Sequence, residues 1–191
     1  MADGGGGLNG LTRGSDARLY SAASLGGPAG LGSAFCVDLA GLVTSLAVAR
    51  RPGQLLLPTS AWTAATDGNL YATTALSLGG PGGGCVLRMG PGGAMQVLHR
   101  FDDPALGRLP TGVIQASDGH LYGIAAQGGV NNAGLVYRLR LDGRFRVLHG
   151  FQHPLGPRGS LVEGPGAVLY GLTQFGGPSL GGTVFALALR G

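Results

Sequence analysis

The chain has 191 residues, of which 40 are Gly and 11 are Pro, and 12% of them are charged. All 13 basic residues are Arg, which gives a net charge of +4 and excludes sites that need a lysine, such as a P-loop or a Schiff base. A chain so rich in Gly, with Glu163 as its single Glu, is a poor helix former, so the sequence favours β structure.

The N-terminal segment 1–7, which contains four consecutive Gly, predicts a flexible Gly-rich start. This segment has neither a basic region nor an apolar stretch, so we expect no signal peptide within this chain. No run further along reaches the roughly 18 apolar residues of a membrane span, and none is expected.

From residue 8 onward the sequence repeats. A Leu-Tyr pair recurs at intervals of 51, 51 and 48 residues, each time shortly after a turn signal and shortly before a double glycine. The pairs are Leu19-Tyr20, Leu70-Tyr71, Leu121-Tyr122 and Leu169-Tyr170. Self-similarity at this period indicates a repeat architecture. We therefore predict a single repeat domain, 8–191, with units at approximately 8–57, 58–109, 110–158 and 159–191.

Each unit reads as four short strands. In the third unit apolar and other residues alternate with period two, and Asp118-Gly119 and Asp142-Gly143 are hairpin turns. The strands predicted there are Thr111 to Ser117, His120 to Ala126, Leu135 to Leu141, and Arg144 to Phe151.

Units of this length with four antiparallel strands are typical of β-propeller blades. The expected fold is all-β: a β-propeller of about four four-stranded antiparallel blades, with an incomplete last blade because Gly191 precedes the fourth strand of that unit. Open sheet edges predict self-association. The array either closes compactly on itself or forms part of a larger ring completed by further repeats or a second copy, and we favour the compact form.

Two positions of the repeat carry packing hypotheses. The four repeated tyrosines are expected to be buried at equivalent sites. The residue after each Leu-Tyr pair is always small, which indicates either a crowded innermost strand or the ordinary tolerance of strands for small residues. These small residues are Ser21, Ala72, Gly123 and Gly171.

The motifs resemble the GloVer-type tandem repeat of bacterial proteins. The best matches are Asp118-Gly119-His120-Leu121-Tyr122-Gly123 and Gly181-Gly182-Thr183-Val184-Phe185, and the first unit is the most divergent. The resemblance implies a secreted or surface-attached, propeller-like protein, and it transfers no catalytic residues.

Candidate chemical groups have ordinary structural interpretations. His99 and His149 share one repeat position and are interpreted as blade residues, while Cys36 and Cys85 are expected to be isolated buried thiols. Arg138, Arg140, Arg144 and Arg146 are interpreted as a solvated sheet face and not a nucleic-acid stripe. We predict no catalytic residue, no metal and no cofactor.

Two function classes remain. The first is a non-catalytic, extracellular or surface binding scaffold for a protein or glycan partner, with Asn131 and Asn132 as candidate contact residues, although both also suit a left-handed turn. The second is a polysaccharide-acting hydrolase or lyase of the propeller type, which would need two converging carboxylates.

Overall fold

The computed structural model describes residues 9–23, 33–48, 58–75 and 83–189. The predicted N-terminal segment 1–7 and the double glycines Gly26-Gly27 and Gly79-Gly80 lie outside these residues. Within them the chain forms fifteen strands and two single-turn 3-10 helices, η1 (Pro104–Leu106) and η2 (Val130–Asn132). Neither helix is long or apolar enough to cross a membrane.

The strands form four sheets, one for each predicted repeat. The first sheet contains β1 (Thr12–Arg13), β2 (Leu19–Ala23), β3 (Ser33–Val37) and β4 (Val43–Val48). The second contains β5 (Thr63–Ala64), β6 (Leu70–Thr74), β7 (Cys85–Met89) and β8 (Met95–Arg100). The third contains β9 (Arg108–Gln115), β10 (Leu121–Gln127), β11 (Leu135–Leu139) and β12 (Phe145–Gly150). The fourth contains β13 (Pro157–Gly164), β14 (Val168–Thr173) and β15 (Thr183–Ala188).

Every sheet is an antiparallel meander in chain order, and the last has three strands among the described residues. The predicted all-β blades and the incomplete last blade are therefore confirmed. The Asp-Gly turns take the expected form, with Gly119 and Gly143 at positive φ. In the first and fourth sheets Ala17 and Ala167 occupy the position of Gly119 and are also at positive φ.

The first strand of each sheet is the innermost, because β1 contacts β5, β5 contacts β9 and β9 contacts β13. Side-chain hydrogen bonds reinforce this arrangement by joining each innermost strand to the next sheet. Thr12 Oγ1 donates to the carbonyl of Trp62, Thr63 Oγ1 to that of Val113, and Thr111 Oγ1 to that of Gly159.

The small residue that follows each Leu-Tyr pair lies on the second strand of its sheet and not on the innermost strand. Its small residue pairs across the sheet with a large apolar residue of the third strand, whose side chain covers it. The pairs are Ser21 with Phe35, Ala72 with Leu87, Gly123 with Tyr137, and Gly171 with Phe185. A Cβ at Gly123 would clash with the Tyr137 hydroxyl and with the carbonyl of Gly112. At Gly123 a small residue is therefore required both by the ring opposite, on the third strand, and by the backbone of the innermost strand β9.

Each sheet has two apolar faces, which we call the forward face, toward the next sheet in chain order, and the rear face, toward the preceding one. The core consists of three clusters, each made of one forward face and the rear face that follows it. Between the first and second sheets, Tyr20, Ala22, Ala34 and Cys36 pack on Trp62, Leu70, Ala72 and Met89. Between the second and third, Tyr71, Val86 and Phe101 pack on Val113, Leu121, Tyr137 and Leu139. Between the third and fourth, Tyr122, Ile124, Val136 and Phe151 pack on Leu161, Leu169, Phe185 and Leu187.

Among the described residues the two end faces of the array are exposed and the first and fourth sheets are not in extended contact, which contradicts the favoured compact closure. On the forward face of the fourth sheet, Tyr170 is 41% exposed whereas its equivalent Tyr122 is 2% exposed. Val184 is 70% exposed whereas its equivalent Val136 is fully buried. The expectation that all four repeated tyrosines are buried therefore holds for the first three and fails for Tyr170, whose face of the fourth sheet is not covered by any described strand.

The remaining packing predictions are confirmed, except at Arg138. Cys36 and Cys85 are buried free thiols. His99 stacks on Phe145 with ring centroids 4.1 Å apart, and His149 meets Phe151 edge-on, so both are blade residues. Of the arginine group, Arg140, Arg144 and Arg146 are exposed as predicted, with Arg140 and Arg144 flanking Asp142 at 3.6 and 3.7 Å, whereas Arg138 is half-buried.

Candidate functional site

A cleft of about 600 Å³ opens at one end of the array, across the second, third and fourth sheets. It is lined where the innermost strands β9 and β13 begin and where the second strands β10 and β14 end. Because innermost and second strands are antiparallel neighbours, these termini meet at the same end of the array. The lining therefore combines segments that are distant in sequence.

The described lining mixes small and apolar residues with polar side chains, one cation and one aromatic ring. Arg158 is its single charged side chain, and it is exposed and forms none of the ion pairs found among the described residues. Carboxamides and hydroxyls supply the other polar groups: Thr59, Thr111, Gln127, Asn132 and Gln174. Such a surface can donate and accept hydrogen bonds and attract an anionic group.

The aromatic ring is that of Phe175, which is 49% exposed in the cleft. Gly156 lies beside it at φ 62°, and a Cβ there would come within 3.4 Å of the ring. The Phe175 amide also donates to the carbonyl of Leu155. The backbone before β13 thus supports an exposed flat apolar surface next to Arg158.

The structure gives the two predicted contact residues structural roles. Asn131 and Asn132 are left-handed, with φ 55° and 53°, as a turn interpretation of Asn predicts. Asn131 Nδ2 donates to the carbonyl of Gln152, and Asn132 Oδ1 accepts from the Gly128 amide. Asn132 lines the cleft, whereas Asn131 is not among the lining residues. Their role in binding stays a prediction.

Carboxylates cluster at the opposite end of the array, in the turns between first and second strands. There Tyr20, Tyr71 and Tyr122 donate to Asp16, Asp67 and Asp118 at 2.6 to 2.7 Å. Glu163 accepts from the amide and hydroxyl of Ser117. In the described chain, no three His, Cys, Asp or Glu residues come together as a metal site.

In two of these pairs, Tyr20–Asp16 and Tyr71–Asp67, both groups have a shifted pKa. Burial, together with the hydrogen bond to Asp16, raises the pKa of Tyr20 to about 12. Burial alone would raise the pKa of Asp16, but the hydrogen bonds from Tyr20 and the Arg18 amide hold it below its usual value. The pKa of Asp67 is lowered in the same way by the hydrogen bonds from Tyr71 and Asn69, so Asp16 and Asp67 are ionised hydrogen-bond acceptors of their turns at neutral pH.

The residues sequence reasoning missed are Arg158, Gln174 and Phe175. Gln174 and Phe175 directly precede the double glycine Gly176-Gly177, so they share the loop set that the repeat already marks as a rim. Arg158 sits where the pairing of β13 with β14 shifts register, between Arg158 and Val162, and the sequence carries no signal for that irregularity.

Comparison with protein families matches the Gloeobacter/Verrucomicrobia repeat over residues 7–191. The chain belongs to this repeat family. The GloVer-type resemblance seen in the turn and Gly-Thr-Val-Phe motifs is therefore confirmed for this repeat protein. No curated protein sequence matches it significantly.

Several solved structures share the fold of this repeat protein. A virginiamycin B lyase from Staphylococcus aureus with quinupristin is 13% identical, with a TM-score of 0.62, and the match covers 95% of this chain and 55% of the lyase. A gluconolactonase from Xanthomonas campestris is 18% identical, with a TM-score of 0.63, covering 96% and 59% of the two chains. A luciferin-regenerating enzyme is 16% identical, with a TM-score of 0.58, covering 96% and 62%. This chain thus spans under two thirds of each, and at these identities the likeness shows a β-propeller-like fold alone.

Proposed function

We propose that this chain is a non-catalytic propeller scaffold whose cleft binds a glycan. The observation that carries the proposal is the combination in one cleft of an exposed aromatic ring, carboxamides and a lone guanidinium. Apolar sugar faces pack on aromatic rings, and sugar hydroxyls pair with amide groups and Arg. Arg158 favours a glycan with carboxylate or sulfate groups.

The composition of the lining supports binding over catalysis. Glycosidase chemistry uses two carboxylates about 5 to 10 Å apart on either side of the bond. The described lining of the cleft contributes no Asp, Glu or His. The alternative, a polysaccharide-acting hydrolase or lyase, would have to draw these groups from elsewhere in the chain.

The binding test compares the wild-type chain with Arg158→Ala and Phe175→Ala on an array of neutral and acidic glycans. We expect wild-type binding to acidic glycans and a loss of at least about tenfold in Arg158→Ala, the scale of a hydrogen bond to a charged group. Arg144→Ala is the matched control, because Arg144 is exposed at the end of the array away from the cleft. Equal binding by all variants would refute the cleft as the site.

The catalytic alternative has its own assay. Each bound glycan is incubated with the purified chain, and new reducing ends or unsaturated products are measured. Turnover that exceeds a heat-denatured control would refute the non-catalytic assignment.

The proposal includes an extracellular or cell-surface location, which follows from the family resemblance. Fractionation of cells that naturally produce the chain tests this location, with a cytoplasmic fraction counting against it.

A further inference from the structure

The forward face of the fourth sheet repeats the chemistry of an interface that the molecule already uses three times. It presents Val162, Tyr170, Leu172 and Val184, and all four are exposed. Their equivalents in the third sheet include Tyr122, Ile124 and Val136, which pack against the rear face of the fourth sheet. Large exposed apolar patches in soluble proteins mark interaction surfaces.

The rear face of the first sheet is the matching surface without a partner. Leu11 and Val43 are exposed there, and Leu19, Phe35 and Val37 are half-buried. Their equivalents in the third sheet are buried against the second sheet or packed at its margin: Val113, Phe145, Leu121, Tyr137 and Leu139. The first and fourth sheets are not in extended contact in the described part of the chain.

We propose that the forward face of the fourth sheet binds the rear face of the first sheet of a second copy of this chain. The occupant is specified by the repeat: Tyr122 and Val136, the equivalents of Tyr170 and Val184, are covered by Leu169 and Phe185, whose equivalents in the first sheet are Leu19 and Phe35. The contact is therefore head-to-tail and heterologous. Two copies joined twice in this way form a closed ring of eight sheets, a size that propellers reach. This inference is independent of what the cleft binds.

The first experiment measures mass by light scattering for the wild type, Val184→Asp and Val43→Asp. We expect a dimer or larger closed assembly for the wild type. Both variants should be monomers, because association would bury an unpaired carboxylate in the interface, which is energetically costly. Val130→Asp is the matched control, since Val130 is exposed in η2, away from both end faces, and should leave the assembly intact. Far-UV circular dichroism checks that each variant is folded.

The second experiment distinguishes head-to-tail contact from other contacts by mixing the variants. Val184→Asp keeps an intact rear face and Val43→Asp keeps an intact forward face, so an equimolar mixture should form a 1:1 complex that neither variant forms alone. Self-association of Val43→Asp alone would show forward-to-forward pairing and overturn the proposal. A wild-type monomer at high micromolar concentration, or an assembly that survives Val184→Asp, as pairing through the β15 edge would, also overturns it.

Discussion

The repeated tyrosine shows how one residue type takes two environments in the same fold. In three sheets it is buried and donates to an aspartate four residues earlier; in the fourth it is exposed, and the residue four positions earlier is Gly166, which has no carboxylate. The sequence marks the position correctly, but burial depends on whether another sheet follows.

Truncating this tyrosine should therefore have unequal effects. Tyr122→Ala should destabilise the chain by roughly 3 kcal/mol, the scale of an aromatic truncation in a core. Tyr170→Ala should cost about 1 kcal/mol or less, as an exposed substitution does. Urea unfolding at a concentration where the chain is monomeric measures both, and equal losses would contradict the exposure of Tyr170.

Two alanines at positive φ offer a stabilising change. A left-handed conformation costs an L-residue about 1 to 2 kcal/mol, and Gly avoids most of this at an entropic cost of about 0.5 to 1 kcal/mol. Ala167→Gly should therefore stabilise the chain by roughly 0.5 to 1 kcal/mol, and Ala17→Gly likewise. Ala188→Gly in β15 is the control and should be destabilising, because Ala188 is not among the described residues with positive φ. Thermal unfolding decides between these signs.

At the scale of the strand, each small residue of a second strand faces a large residue of the third strand, and this complementary size keeps the two strands in register. Gly123 pairs with Tyr137 in the third sheet. In the second sheet the equivalent pair is Ala72 with Leu87, a slightly larger residue opposite a smaller one. A change in one member of such a pair must be matched by its partner.

Gly123→Ala should destabilise the chain by about 1 to 3 kcal/mol, because the added methyl overpacks against Tyr137 and the Gly112 carbonyl. Gly150→Ala is the control, since no atom lies within 4 Å of a Cβ there. The double variant Gly123→Ala/Tyr137→Leu recreates the pair of the second sheet and should lose less than the two single losses added together. Additive losses in this double-mutant cycle would exclude the pairing.

The elements follow from local sequence more fully than the cleft does. Period-two alternation and the Asp-Gly turns around Asp118 and Asp142 are local signals, and they place the strands of the third sheet to within about three residues. The cleft joins Thr59, Asn132 and Phe175 from three different units, and their proximity depends on how the sheets pack. For this reason the sequence pointed to a loop rim but missed Arg158 and Phe175.

Across the whole molecule, three shifted groups act in the same direction as pH falls. Burial lowers the pKa of His99 to about 4, so the unfolded chain takes up a proton before the folded chain does. Stability should therefore be complete above pH 6.5 and decline between about 6.5 and 4. Asp16 and Asp67, whose pKa values are also lowered, contribute stability above their usual values that is lost as pH falls further.

Melting temperatures measured from pH 8 to pH 4 test this decline. His99→Gln should flatten the curve between pH 6.5 and 4 relative to the wild type. A wild-type melting temperature that does not fall across this range would show that His99 is readily protonated in the fold.

The threonine hydrogen bonds between successive sheets imply that the two terminal sheets unfold more readily than the middle ones. Each runs from one unit to the next, as from Thr12 to Trp62 or from Thr111 to Gly159, so a sheet in the middle is held from both sides and a terminal sheet from one. Stability in such a one-dimensional array is shared between neighbours and decreases toward its ends. In native-state hydrogen exchange of the monomer, the amides of β2 and β14 should exchange by opening of the terminal sheets, and those of β10 should persist until global unfolding.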